Sequence, residues 1–235
     1  MVNNALAVIS ARGGSKRIPR KNIIDFFGKP LMAWSIRAAI ESGVFRKVIV
    51  STDDPEIAQI ARDHGAEVPF MRERFADDIS PISTVVADSV EIMRDRFGEN
   101  YDVVAQIMPN CPMRTSEDIR EAYRNFTVNK LDFQLSSFAY GWMNPWWAFK
   151  IGEDGVPTPL NERGLKSRSQ DLEKLYCPTG AIWLAKSAAL LQSKNFYGPG
   201  FRLHPIPWQS AVDIDDYEDL EMARAVYLMR KNSGA

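Results

Sequence analysis

Through its first 130 residues the chain alternates short apolar runs with segments whose apolar residues recur at helical spacing. That alternation admits few folds. Ala5–Ser10 (ALAVIS) is almost continuously apolar, the pattern of a strand buried on both faces of a parallel sheet. Pro30 opens LMAWSIRAAIES and Gly43 closes it, so a helix is expected between them. Lys47–Ser51 (KVIVS) reads as the next strand. Asp54, with Pro55 in the first turn, caps a helix running to Gly65, and residues 67–70 are expected as a third short strand. A helix at 84–97, a strand at 102–108 and a helix at 117–126 behind the cap Thr115 continue the series. Strands joined by helices of about 10 to 15 residues require right-handed crossovers, hence an α/β fold with a mostly parallel sheet.

The pattern breaks after residue 130. Residues 131–151 hold Trp142, Trp146 and Trp147 beside Gly141 and Pro145, and read as strands and turns rather than another crossover. Residues 153–170 are polar and rich in Gly, Pro, Ser and Arg, the composition of a long loop. Strands at 180–185 and 211–214 and a helix at 217–229 are expected to complete the chain, with Leu220, Ala223, Val226 and Tyr227 on the helix's apolar face.

Composition removes several functions. With 29 basic and 30 acidic residues among 235, the formal net charge is -1, so the footprint of a general nucleic-acid binder is missing. Two cysteines, Cys111 and Cys177, make no disulfide framework and suit a reduced, cytoplasmic protein. No apolar run approaches the roughly 18 to 20 residues of a membrane span, and the first apolar run lacks a basic segment ahead of it.

Against that balanced background, five cations stand between positions 12 and 21 in ISARGGSKRIPRKN, directly after the first strand. Ligands of open parallel sheets collect outside the carboxyl ends of the strands. Gly13 and Gly14 let backbone N–H groups approach an anion, and Arg12 and Lys21 can add charge-assisted contacts to phosphate oxygens. The spacing matches neither G-x-x-x-x-G-K-[ST] nor G-x-G-x-x-G, which argues against a P-loop ATPase and a dehydrogenase. Near the other end, Asp213 and Asp215 flank Ile214 in AVDIDDYEDL. In an extended segment the two carboxylates share one side and suit Mg²⁺; the competing reading is that Asp215 or Asp216 caps the last helix. Ser51 to Asp54 and the loop 109–115 end strands and face the same crevice, the former chiefly as a helix cap, while Arg72 could reach phosphate, the competing reading being a surface ion pair. His64 and His204 have no catalytic spacing, and Cys177 has no base beside it.

The ordered set ARGGSKRIPRKN, GKPL, VSTDD, MPNCPMRT, SRSQDL, GAIWLA and VDIDDYEDL, from about residue 5 to 228, resembles the acylneuraminate cytidylyltransferases, or CMP-sialic acid synthetases. The resemblance implies a Rossmann-like three-layer nucleotidyltransferase fold over 1–235, with an excursion at about 131–170 through which family members dimerise. It implies activation of a nine-carbon 2-keto sugar acid, a nonulosonic acid, with CTP and Mg²⁺ and release of pyrophosphate. Arg12, Gly13, Ser15, Lys21 and Asn22, with Arg72 and Ser83, would then bind nucleotide; Asp213 and Asp215 would bind metal; Arg168 and Gln170 would approach the sugar acid. Arg12, Lys21, Asp213 and Asp215 would carry catalysis. Many sialic acid members place Gln before the Pro of MPNCP, where this chain has Met108. N-acetylneuraminate ranks first as substrate because it typifies the family, with legionaminic and pseudaminic acids close behind. A sugar 1-phosphate nucleotidyltransferase and a silent nucleotide-binding protein are the other readings.

Overall fold

The computed structural model describes residues 3–77 and 79–232. β1 (Ala5–Ser10) leads into the basic turn, a 3-10 turn at Lys21–Ile23, and a small ribbon of β2 (Asp25–Phe26) and β3 (Lys29–Pro30). There follow α1 (Leu31–Ser42), β4 (Lys47–Ser51), α2 (Pro55–Asp63), α3 (Ile82–Phe97), β5 (Val103–Gln106), α4 (Ser116–Val128) and β6 (Phe133–Ala139). An excursion then holds a 3-10 turn at Pro145–Trp147, the hairpin β7 (Phe149–Ile151) and β8 (Pro157–Pro159), and the single-turn helix α5 (Glu162–Lys166). β9 (Tyr176–Lys186), α6 (Ser187–Ser193), β10 (Arg202–Pro205) and α7 (Tyr217–Asn232) complete the chain.

Six strands form one sheet in the order β10-β6-β9-β5-β1-β4. All run parallel except β9, which is antiparallel to both neighbours. The apolar run of β1 is explained by burial on two sides. Ala5, Ala7 and Ile9 pack with Ile36 of α1, Ile57 of α2 and Ile119 of α4, whereas Leu6 and Val8 pack with Val86, Val90 and Met93 of α3 and Leu190 of α6. Three layers result. A separate apolar cluster seats α7 through Leu220, Ala223 and Val226 against Ile18 of the basic turn, Leu31 and Ile214. It brings the two ends of the sequence together.

The chain passes from β1 to β4 on one side, then returns to place β5 on the other side of β1. The carboxyl ends of β1 and β5 therefore border the topological switch point, where such sheets open a crevice.

Helix punctuation follows the sequence closely. Asp54 accepts from the Glu56 and Ile57 amides at the start of α2, and Thr115 forms a reciprocal capping box with Asp118. Gly43 takes the left-handed conformation that ends α1, with φ of 66°.

Three expectations need correction. Residues 67–70 do not form a strand: Glu67 makes a lone bridge to Ile49, and Pro69 has no N–H with which to continue it. Residues 211–214 are not a strand either. A 3-10 turn spans Trp208–Ala211, and Val212 and Ile214 are buried under α7 rather than in the sheet; the edge strand is β10, which its polar sequence RLHP conceals. The polar stretch 153–170 is not structureless, since it holds β8 and α5, with Asn161 accepting from the Arg163 amide at the helix start. Gly164 lies so close to Trp146 that a Cβ would fall 2.0 Å from its carbonyl oxygen, fastening α5 to the Trp-bearing turn. α6 carries no cap or periodic signal strong enough to have announced it.

Candidate active site

A cleft of about 520 Å³ opens at the switch point. Arg12, Ser15, Lys21 and Asn22 line it from the basic turn, Arg72 from the segment beyond β4, and Asp215 from the opposite end of the chain. Met108, Pro109 and Asn110 line it from the end of β5, and Ile82 and Val85 give it an apolar wall from α3.

The basic turn is held from behind. Gly13 donates its amide to Asp53 Oδ1 at 3.1 Å, and a Cβ on it would lie 2.7 Å from Asp54 Oδ2, so a side chain there would collide with the residue that caps α2. Buried Asn22 donates Nδ2 to the Arg12 carbonyl at 3.0 Å. One of the five cations turns away: Arg20 pairs with Asp54 and Glu56, while Arg12, Lys16, Arg17 and Lys21 line the cleft. The VSTDD stretch thus supports the turn as well as capping α2.

Arg72 is buried, with Nη2 3.5 Å from Asp53 Oδ1, and its Nε makes no hydrogen bond among the described residues. Burial lowers its pKa against the opposing pull of Asp53. A buried guanidinium with spare donors at a cleft wall is built to meet an acceptor.

The acidic pair is pinned by residues from two other elements. Lys21 Nζ donates to Asp215 Oδ1 at 2.8 Å and to the Ile214 carbonyl at 2.7 Å, and Arg17 pairs with Asp215 Oδ2 at 2.8 Å. Asn110 donates Nδ2 to Asp213 and to the Ile214 carbonyl, and accepts the Ile214 amide at 3.0 Å. The helix-capping duty falls to Asp216, which accepts from the Glu218 and Asp219 amides. Burial, then the neighbouring Asp215, raises the Asp213 carboxyl to about 6 despite Lys21. Burial acts on Asp215 in the same direction, but Lys21 and Arg17 outweigh it and hold that carboxyl below its ordinary value.

No group of three or more His, Cys, Asp or Glu that could hold a metal gathers among the described residues. The donors present still suit a hard cation that takes one or two carboxylates and fills its shell from water and phosphate. Asp213 and Asp215 supply the carboxylates, and Asn110 Oδ1 beside them is buried without a partner among the described residues.

Gly13, Ser83, Arg168, Gln170 and Asp213 are not among the residues that line the cleft; Asp213 lies behind Asn110, which bonds it. The Ser83 hydroxyl faces the other way and accepts the Phe196 amide at 3.2 Å. Arg168 and Gln170 are exposed on the excursion beyond α5. Sequence reasoning missed Arg17, Asn110 and the wall formed by Phe75, Asp77 and Ser80; Arg17 stood unsorted among five cations, Asn110 in a loop whose general position alone was expected, and the wall carries no motif. Gln106 is fully buried with neither amide atom bonded among the described residues, and it does not line the cleft. Met108 therefore faces the cleft with no amide from β5 beside it.

The cytidylyltransferase family model matches residues 6–233. The chain is 38% identical to the pseudaminic acid cytidylyltransferase of Campylobacter jejuni, over 97% of this chain and 98% of that one. It is 33% identical to the CMP-N,N'-diacetyllegionaminic acid synthase of Legionella pneumophila, over 98% of each, and 30% identical to the N-acylneuraminate cytidylyltransferase of Escherichia coli, over 95% of this chain and 52% of the other. Among solved structures, a CMP:2-keto-3-deoxy-manno-octonic acid synthetase complexed with CTP superposes with a TM-score of 0.70 at 19% identity, covering 96% of this chain and 99% of the other. The 4-diphosphocytidyl-2C-methyl-D-erythritol synthase of Anaerococcus prevotii gives 0.66 at 11% identity, covering 97% and 99%. Sequence and architecture agree, and the chain belongs to the cytidylyltransferase family as a CTP-dependent nucleotidyltransferase.

Proposed function

We propose that the chain transfers CMP from CTP to a nine-carbon 2-keto sugar acid of the deoxygenated, doubly acylamino-substituted kind, with pseudaminic acid first and legionaminic acid next. The observation that supports the chemistry is the junction of the basic turn with the Asp213–Asp215 segment at the switch point, through Lys21 and Asp215. The names of the relatives support the substrate class, and they move N-acetylneuraminate from first place to third.

In this reading the anomeric hydroxyl attacks the α-phosphorus in line and pyrophosphate leaves. Arg12 and Lys21 stabilise the departing charge, with Ser15 and the Gly13 region bearing on the phosphates and Asn22 and Arg72 on the nucleoside. Asp213 and Asp215 would hold Mg²⁺, which when bound supplies electrophilic charge to the transferring phosphoryl group. Lys21 leaves Asp215 as the triphosphate arrives, exchanging a carboxylate partner for a phosphate one. The sugar carboxylate is met by Arg168 or Gln170 of the excursion, which do not line the cleft of a single chain. That arrangement fits a homodimer in which the excursion reaches the cleft of a second copy. The test is pyrophosphate release with each NTP against the three acids and a sugar 1-phosphate. CTP with pseudaminic acid is expected to be fastest, and turnover of the sugar 1-phosphate alone would overturn the reading.

A further inference from the structure

Arg114 lies behind the cleft and is 2% exposed. No carboxylate lies within ion-pair distance of it among the described residues, and its Nε and Nη2 make no hydrogen bond there. Asp118 and Asp213 act on it only across a distance, and a buried cation with no carboxylate in contact costs several kcal/mol, so a side chain of this kind needs a compensating role. Its Nη1 donates to two backbone carbonyls, Met108 at 3.2 Å and Ala181 at 2.8 Å.

Those carbonyls mark a fork in the sheet. The β5–β9 ladder runs from Val103↔Lys186 to Gln106↔Trp183 and stops. Continued in the same register, it would set Met108 opposite Ala181. At the same level β9 shifts register against β6, between Leu135 and Ser137. The Ser136 hydroxyl fills that irregularity, donating to the Thr179 carbonyl and accepting the Ile182 amide, each at 2.9 Å. Bulges beside active sites re-aim a strand end. Here the guanidinium takes the place of the missing ladder bonds and holds the chain just past the end of β5 at a fixed separation from the middle of β9.

The Met108 carbonyl is gripped from a second side by the Ser35 hydroxyl of α1, at 2.9 Å, which also reaches the Pro109 carbonyl at 3.3 Å. Two residues on, Asn110 exchanges hydrogen bonds with Ile214 and donates to Asp213. A contiguous path therefore runs from Arg114 through Met108, Pro109 and Asn110 to the acidic pair. We infer that Arg114 is a positioning residue for the reaction, setting the strand fork that aims the 108–110 segment and, through Asn110, the Asp213–Asp215 segment. This inference rests on the proposed role of that acidic segment.

The reach of the side chain matters as much as its charge, because an ammonium on a shorter stem stops short of the point from which Nη1 meets both carbonyls. For Arg114→Met and Arg114→Lys we expect kcat to fall about 100-fold, the scale on which small misplacements act, with KM for CTP changed less than about twofold. The activity assay uses whichever acid the unaltered protein turns over fastest, so a wrong sugar assignment does not mimic failure here. A second readout is independent of turnover. Amide exchange followed by NMR should quicken at Ile214 in both variants while the β1 and β4 amides stay protected. Should Arg114→Met fail to fold, Arg114→Lys and Ser35→Ala carry the test, with Ser35→Ala giving a smaller change in the same direction. Unchanged kcat in the folded variants, a rise in KM for CTP matching the loss in kcat, or faster exchange throughout the sheet would each overturn the inference.

Discussion

Lys21 and Asp215 are 194 positions apart in sequence, and their charged atoms lie 2.8 Å apart. Arg17 holds the second oxygen of the same carboxylate. Both cations sit in the turn proposed to receive triphosphate, so one set of charges is expected to serve two partners in succession. Of the acidic pair, Asp215 is held by these two cations and Asp213 by the Asn110 amide.

Lys21→Ala is therefore expected to have opposite effects on two ligands. CTP affinity should fall, since a hydrogen bond to a charged group is worth ~1.5 to 3 kcal/mol, about 10- to 150-fold in Kd. The affinity of the nucleotide-free protein for a divalent cation should rise, because one oxygen of Asp215 is released while Arg17 keeps the other. Mn²⁺ titration by electron paramagnetic resonance and calorimetric CTP binding measure the two. A loss of both affinities together would count against the exchange of partners.

Asp213 gives a pH prediction. Its carboxyl is raised to about 6 by burial, so between its unfolded value near 4 and pH 6 the folded chain holds a proton that the unfolded chain has lost. Stability falls as pH rises through that window, by on the order of 1 to 3 kcal/mol. Asp213→Asn cannot ionise and keeps an oxygen toward Asn110, so it should melt higher than the unaltered protein at pH 7 while losing most activity. The acid limb of kcat/KM, which reports the free enzyme, should have an apparent pKa near 6. A variant that melts lower at neutral pH would show that the ionised carboxylate stabilises the fold.

Much of this site was legible because its parts lie next to strand ends that the apolar pattern announces. ALAVIS located the basic turn, and KVIVS located Asp53 and Asp54. What escaped depends on contacts between distant segments. The Asp213–Asp215 pair was expected on one edge of a strand, yet no strand exists there; Lys21 and Asn110 hold the segment from outside. Ser83 looked like a nucleotide contact by resemblance, but α3 turns it toward Phe196. β10 was invisible because an edge strand that is exposed reads as polar. The loop 109–115 was expected to face the crevice, yet only Pro109 and Asn110 line it and Arg114 is buried behind, since burial of a cation is a tertiary fact.

The excursion predicts a dimer. Trp142 is 83% exposed and Ile151 75%, with Met143, Phe149, Val156 and Leu160 also exposed nearby. Apolar surface of this density on one projection is expected to be covered by a second copy of the chain. Light scattering at micromolar concentration should give twice the chain mass. Trp142→Ser with Ile151→Asp should give a folded monomer that binds CTP normally and has lost turnover, because Arg168 and Gln170 no longer reach a neighbouring cleft. A monomeric unaltered protein with full activity would rule the arrangement out.

We expect the sugar preference to depend on the wall next to Asn110. Met108 lines the cleft there, and its side chain lies across Gly180, where an added Cβ would come within 2.7 Å of Met108 Cγ. Gln106 is sealed inside the sheet and offers no amide to the cleft. A thioether cannot donate a hydrogen bond, so a hydroxyl placed against it loses a water partner and gains little, whereas a deoxygenated carbon loses nothing. The polar alternative acts in the opposite sense, because a site built to bond a hydroxyl rejects the analogue that lacks it. We expect kcat/KM at saturating CTP to rank pseudaminic acid above legionaminic acid and both above N-acetylneuraminate. Met108→Gln should shift the ratio toward N-acetylneuraminate by about 10- to 100-fold, the range in which single pocket contacts discriminate, with KM for CTP unchanged. Gly180→Ala, which displaces the Met108 side chain without changing its chemistry, should slow all three acids and leave their order intact. An identical ratio in Met108→Gln would place this residue away from the differing end of the sugar and return the choice of acid to other walls of the cleft.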